Sequence, residues 1–214
     1  MAAAVAAAGL VALAGASSAN ALNVGTIGTP IGSGSMASTS SGGPARLVYN
    51  TGFGQAAINC TASTLSTSIA TGAYALPATV GTGQLQFSSC VGPASLLYAI
   101  NCTLTASVGF TAAPVGGSTV GRLSGISCVV NNISTGCTAT IGGSVPLSYT
   151  NPTVSTPSVL TTQVAGQAIS ALTTTCGGTT TGPLQLGTPI GTGTTVTNQP
   201  FTFTGASSGH PFLS

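Results

Sequence analysis

Residues 137–149 read Cys-Thr-Ala-Thr-Ile-Gly-Gly-Ser-Val-Pro-Leu-Ser-Tyr. Cys137, Ala139, Ile141, Val145, Leu147 and Tyr149 fall at odd positions, with Thr138, Thr140, Ser144 and Ser148 between them. Successive side chains on a strand point to opposite faces, so this period of two marks a strand with one buried side. Residues 98–110 carry the same pattern at even positions: Tyr98, Ile100, Cys102, Leu104, Ala106, Val108 and Phe110 are apolar, and Asn101, Thr103, Thr105 and Ser107 are polar. A cysteine belongs to the apolar set of each stretch, which places its bridge in the core. Pro146 has no N–H to give a ladder and predicts that its strand lies at an edge or breaks there.

Outward from these two stretches, β-branched and alternating runs predict further strands at Arg46–Asn50, Gln55–Ala62, Gln84–Cys90, Leu123–Val130, Ser158–Val164 and Thr195–Thr204. Gly/Ser/Thr/Pro stretches at 28–45, 113–119, 151–158 and 177–183 read as loops. One helix is admitted, over 161–172, where Val164, Ala168, Ile169 and Leu172 share a side at helical spacing. The fold class that follows is all-β: a single antiparallel β-sandwich or barrel-like domain with disulfides and at most one short helix.

The six cysteines fall within an internal repeat. Ile58-Asn59-Cys60-Thr61 recurs as Ile100-Asn101-Cys102-Thr103, and Phe87-Ser88-Ser89-Cys90-Val91 is paralleled by Ile126-Ser127-Cys128-Val129. Two related units, each closed by its own bridge, give Cys60–Cys90 and Cys102–Cys128 and leave Cys137–Cys176, one of fifteen pairings that six cysteines allow. No C-x2-C spacing is present, which argues against a zinc site. A second repeat links Gly28-Thr29-Pro30-Ile31-Gly32 with Gly187-Thr188-Pro189-Ile190-Gly191, through turn composition alone or through equivalent positions in the fold.

Charge excludes most chemistry. The 214 residues contain no Asp, Glu or Lys, and their charged side chains are Arg46 and Arg122. Paired carboxylates, Ser-His-Asp triads, carboxylate calcium cages and phosphate-binding lysines cannot be assembled from this inventory. His210 is the one histidine, in Ser-Gly-His-Pro, with no acid to orient it; a hydrolase built on it is the remaining enzymatic alternative. Two isolated arginines read as surface charges, and a net charge of +2 is far short of a nucleic-acid footprint. No catalytic residue, cofactor or metal is expected.

The first 21 residues combine an apolar run, Ala2–Ala16, with Ala19-Asn20-Ala21, which fits the small-x-small rule for signal cleavage and starts the mature chain at Leu22. An even cysteine count agrees with export to an oxidising compartment. The expected organisation is a signal peptide at 1–21, a Gly/Ser/Thr-rich segment at 22–45, a β domain at 46–206 and a C-terminal tail at 207–214. No membrane span is expected once the signal is removed.

Thr-x-Thr pairs at 103/105 and 138/140 put hydroxyl and methyl groups on the outward side of the two clearest strands. Thr103, Thr105, Thr138 and Thr140 are therefore the candidate ligand face, although threonine is also the ordinary β-branched polar residue of a solvated strand. Asn59, Asn101 and Asn132 each begin a glycosylation sequon.

The Ala-rich leader, Asn59-Cys60-Thr61 followed by Phe87-Ser88-Ser89-Cys90, and the run from Cys137 to Pro146 leading to Ser148-Tyr149-Thr150 resemble small exported, cysteine-containing β-rich proteins of actinobacteria with no assigned activity. The resemblance covers residues 55–210 and implies a secreted or cell-envelope setting, with no site residues to carry over. The expectation is a non-catalytic secreted or cell-surface protein, structural or adhesive, with a neutral Thr/Ser surface; a glycan- or ice-binding module is the alternative. Its partners would be further copies of itself or a cell-envelope or glycan surface.

Overall fold

The computed structural model describes residues 21–26, 34–51, 54–93, 97–104, 107–153, 155–175, 184–203 and 211–214. They form β1 (Ala21–Thr26), β2 (Gly34–Thr51), β3 (Gly54–Ala75), β4 (Ala78–Val91), β5 (Leu97–Leu104), β6 (Ser107–Phe110), β7 (Ser118–Asn132) and β8 (Cys137–Thr150). The chain continues through β9 (Val159–Thr162), β10 (Ala168–Thr174), β11 (Gln185–Pro189), β12 (Val196–Thr197), β13 (Gln199–Phe203) and β14 (Pro211–Leu213). No α-helix occurs among the described residues.

The pairings close into a ring. Strands β2, β3 and β4 run as a meander, and β5 and β6 together form the next stave, since both pair with β4 and β7. Beyond β7 and β8 the wall divides along its height. Strand β9 covers residues 147–150 of β8, while β10 covers residues 139–144. On the far side, β13 joins β9 to residues 40–41 of β2, and β11 pairs residues 46–48 of β2. A bridge between Ile169 and Leu184 links β10 toward β11. The result is an antiparallel barrel of eight staves, counting β5/β6, β9/β10 and β11/β13 as one each. Closure matters because an open edge is a template for another chain's strand. Among the described residues the ring is closed, with β10 joined to its far neighbour by the Ile169–Leu184 bridge alone.

Buried and exposed residues alternate along the wall, and bulges reset the alternation. On β7, Leu123 and Ile126 are both buried although three positions separate them, because Gly125 takes φ 69° and the register with β8 slips between Ser124 and Ile126. On β4, Leu85 and Cys90 both face inward; Ser89 takes φ 49° and the register with β5 slips between Gln86 and Cys90. An extra residue on one strand increases twist and bends the strand, as a closed barrel requires.

Inside, the two halves of the barrel are filled differently. Phe110, Tyr149, Phe201 and Phe203 occupy the half beside β9 and β13. Tyr149 stands edge-on to Phe110 at 6.2 Å and to Phe203 at 6.1 Å, and each such contact adds about 0.5–1.5 kcal/mol beyond area burial. The other half is aliphatic, with Leu47, Leu85, Ile126, Ile141, Ile169 and Leu186 around the sulfurs of Cys60 and Cys128. Strand β1 lies between β3 and β14, and Leu22, Val24 and Leu213 complete the core.

The repeat is legible as neighbouring hairpins. Cys60 stands directly opposite Cys90 on β3 and β4 with Cα atoms 4.0 Å apart, and the two are joined by a disulfide. Cys102 stands opposite Cys128 on β5 and β7 in the same way. Cys128 and Cys137 each take part in a disulfide of their own. The side chain of Cys102, and Cys176 altogether, lie outside the described residues.

Four expectations are corrected. The helix over 161–172 is instead the end of β9, a turn and most of β10: Gly166 takes φ 77°, and Ile169 is buried between exposed Ala168 and Ser170. The loop over 28–45 is strand from Gly34 onward, paired along its length with β3, with Thr39 and Ser41 exposed and Ser40 buried and donating to the Leu65 carbonyl. Pro146 sits on neither an edge nor a break. Strand β8 runs through it opposite Arg122, and the proline falls where β10 hands over to β9. The tail at 207–214 includes β14, whose Leu213 is buried and whose backbone N–H and C=O are both bonded to the Asn151 side chain.

Candidate functional site

The outer wall is where the sequence placed a ligand face, and by register Thr103, Thr138 and Thr140 do not make one row. Thr103 stands opposite Ser127 on β7, and Thr140 stands opposite Val129, which is 44% exposed and interrupts the hydroxyls. Thr138 is half-buried and engaged: its N–H donates to Thr175 Oγ1 at 2.8 Å, and the two hydroxyls meet at 3.2 Å. Thr105 lies outside the described residues. Strand β7 separates β5 from β8, so Thr103 and the 138/140 pair are about 10 Å apart across the wall.

A broader polar face lies on β2, β3 and β4, where no Thr-x-Thr spacing drew attention to it. Thr39 faces Ser66, which faces Gln84; Ser41 faces Thr64, which faces Gln86; Ser68 faces Thr82. All of these are exposed except Thr64, which is half-buried. The signal was available in Ser66, Ser68, Thr82, Gln84 and Gln86, polar at every second position on two strands. With strands about 4.8 Å apart, the arrangement offers uncharged hydroxyl and amide groups in a two-dimensional array. It can accept and donate hydrogen bonds, and no carboxylate or lysine competes there.

Arg46 is not a surface charge. It is 5% exposed, and its guanidinium is spent on the protein. Nε donates to Asn59 Oδ1 at 2.6 Å, Nη1 to the carbonyls of Thr195 at 3.0 Å and Ile190 at 3.4 Å, and Nη2 to the carbonyl of Gly191 at 3.0 Å. A buried cation must find acceptors when it leaves water. Here they are the carbonyls of the turn between β11 and β12, clamped against β2 and β3. Arg122 is exposed on β7 and donates to Ser144 Oγ at 2.6 Å.

The sequon asparagines are partly occupied as well. Asn59 accepts from Arg46, and Asn132 is 8% exposed with its Oδ1 accepting from the N–H groups of Ser134 and Thr135 in a turn. The Asn101 side chain and His210 lie outside the described residues. Among those described, no group of three His, Cys, Asp or Glu is placed to hold a metal, and no helix is long and apolar enough to cross a membrane.

The interior offers little room. A cavity of about 20 Å³ remains among Leu47, Leu85, Phe87, Ile141, Ile169 and Leu186. That is room for about one water, and the exposed surface of its walls is apolar and gives a water nothing to bond. Comparison of the chain with protein-family models, curated proteins and solved structures finds no match.

Proposed function

We propose that this chain is a non-catalytic secreted or cell-surface protein, structural or adhesive, that works through the outer wall of its barrel. One observation carries the reading: the described interior is packed with apolar side chains, while Thr39, Ser41, Ser66, Ser68, Thr82, Gln84 and Gln86 set uncharged hydroxyls and amides on the exposed side of β2, β3 and β4. With the described interior positions packed by apolar side chains, contact with partners falls to the exterior of the barrel. An uncharged face gives no long-range steering, and its contacts should be short-range and insensitive to salt.

A glycan surface is the favoured alternative to a purely structural role. Gln84 and Gln86 present paired donors and acceptors beside the hydroxyls of Ser66 and Thr64, and amides in such a setting bond the hydroxyls of a sugar. Ice is a poorer fit, because the array follows the curvature of a barrel. The test is retention of the purified protein on envelope polysaccharide, compared with a Ser66→Arg/Gln84→Arg variant. Retention that is lost in the variant and unchanged by salt supports the reading. Turnover of an ester, peptide or glycoside that disappears in His210→Ala removes it and promotes the hydrolase.

A further inference from the structure

We propose that the seat holding β14 is also the place where two copies of this chain join, each lending its residues 211–214 to the other.

The closed wall does not depend on β14. Its ring runs β2–β13–β9–β8–β7–β5–β4–β3 and returns to β2, whereas β1 branches from β3 and β14 pairs with β1. Strand β14 can therefore leave without parting any two staves, and such local opening takes less free energy than unfolding the ring.

The seat has two sides. On one, Asn23 and Ser214 exchange two backbone hydrogen bonds, at 2.7 and 3.0 Å. On the other, the Asn151 side chain acts as a neighbouring strand would. Its Nδ2 donates to the Leu213 carbonyl at 2.6 Å, and its Oδ1 accepts from the Leu213 N–H at 2.9 Å. Between the two sides Leu213, 2% exposed, stands opposite Val24, which is 0% exposed. Asn151 is 8% exposed, so departure of β14 leaves a buried amide unpaired and an apolar hole beside it. Such a seat takes an extended backbone carrying an apolar side chain, as a sheet edge takes up a strand from another chain.

The occupant that matches it is β14 of a second copy, because an exchanged pair rebuilds every one of these contacts unchanged. Residues 204–210 join β13 to β14, and seven residues reach at most about 25 Å, so exchanging copies must meet at the end of the barrel that carries β14. The chain has no Asp, Glu or Lys and a net charge of +2, so little repulsion opposes that approach. Below the effective concentration of its tether, on the order of millimolar, a chain keeps its own strand, and above it copies trade strands.

The test mixes two variants of the full chain. Leu213→Asp spoils the strand and keeps the seat, and Asn23→Pro/Asn151→Ala spoils the seat and keeps the strand. Analytical ultracentrifugation at about 1 mM should show a 1:1 heterodimer in the mixture and monomer in either variant alone. Absence of the heterodimer overturns the proposal, and so does a dimer of the unaltered chain that persists in Leu213→Asp, since association then uses another surface. Amide exchange of the unaltered chain needs no variant. The N–H groups of Asn23 and Leu213 should exchange at least about tenfold faster than those of β7, because β14 leaves while the ring stays closed. Equal rates mean that β14 leaves only with the ring and overturn the exchange.

Discussion

Removing the Tyr149 hydroxyl should change how stability responds to alkali more than it changes stability at neutral pH. Tyr149 is 2% exposed and lies between Phe110 and Phe203. Burial holds its phenol well above the ordinary value. Below about pH 10 the phenol is protonated in both the folded and the unfolded chain, and its contribution is constant. Above about pH 10 the unfolded chain releases the proton while the folded one keeps it. The unfolded state then binds fewer protons, and unfolding free energy falls by about 1.4 kcal/mol per pH unit until the buried phenol itself titrates. By about pH 11.5 the loss is about 2 kcal/mol. Tyr149→Phe keeps the ring in place, should change stability at neutral pH by less than about 1.5 kcal/mol, and carries no such slope. The difference between the two proteins should therefore shift by about 2 kcal/mol in favour of the phenylalanine variant between about pH 9 and pH 11.5. Urea unfolding followed by far-ultraviolet circular dichroism across this range measures it, and no free thiol among the described cysteines is present to start disulfide exchange. Parallel pH profiles for the two proteins refute the reasoning.

The remaining predictions concern other parts of the wall and the pH range below neutrality. Arg46→Met leaves Asn59 Oδ1 and the carbonyls of 190, 191 and 195 without their donor and should cost about 3–4 kcal/mol in a urea titration; a loss below about 1 kcal/mol contradicts the clamp. Cys60→Ala with Cys90→Ala opens a loop with sequence separation 30 and should cost about 3–4 kcal/mol, read from the urea midpoint, whereas an unchanged midpoint would show that the bridge constrains nothing. Gly143→Ala places a Cβ 1.9 Å from the Ala168 carbonyl oxygen at φ 140° and should cost about 2–4 kcal/mol, while Gly193→Ala, with open space around it, should stay within about 0.5 kcal/mol. With no Asp or Glu in the sequence, the melting temperature should stay nearly flat from about pH 7 to pH 3, and a steep fall there would mean some other titrating group governs stability.

The strands were legible where the alternation ran unbroken, as from Val145 to Tyr149, and obscured where a bulge shifted it. Leu85 and Cys90 carry opposite parity in the sequence, yet both face the core, because Ser89 uses one residue to turn the chain. The same arithmetic made Val164, Ala168, Ile169 and Leu172 look helical: a strand, a turn at Gly166 and a second strand reproduce a three-four spacing by accident. The Cys60–Cys90 pairing was readable because adjacent hairpins repeat, and a cross-strand bridge needs only that the two cysteines be opposite. Nothing local could reveal the role of Arg46, whose acceptors at 190–195 lie roughly 145 residues further along. The face on β2, β3 and β4 was hidden for another reason. A sequence shows which side of one strand is polar, but the array arises only when register sets Ser66 beside Gln84 and Thr64 beside Gln86.

The placement of the two arginines bears on how long such a protein lasts among digestive enzymes. Proteases that cut after basic residues must draw an arginine and its neighbours into an extended, unpaired form. Arg46 is held in ladders with Asn59 and Gly187, and Arg122 in ladders with Gly109 and Pro146. Enzymes that cut beside acidic residues have no target anywhere in the chain. Each such cut therefore waits on opening of the wall around an arginine, so the lifetime of the barrel in trypsin-rich surroundings measures its unfolding rather than its sequence.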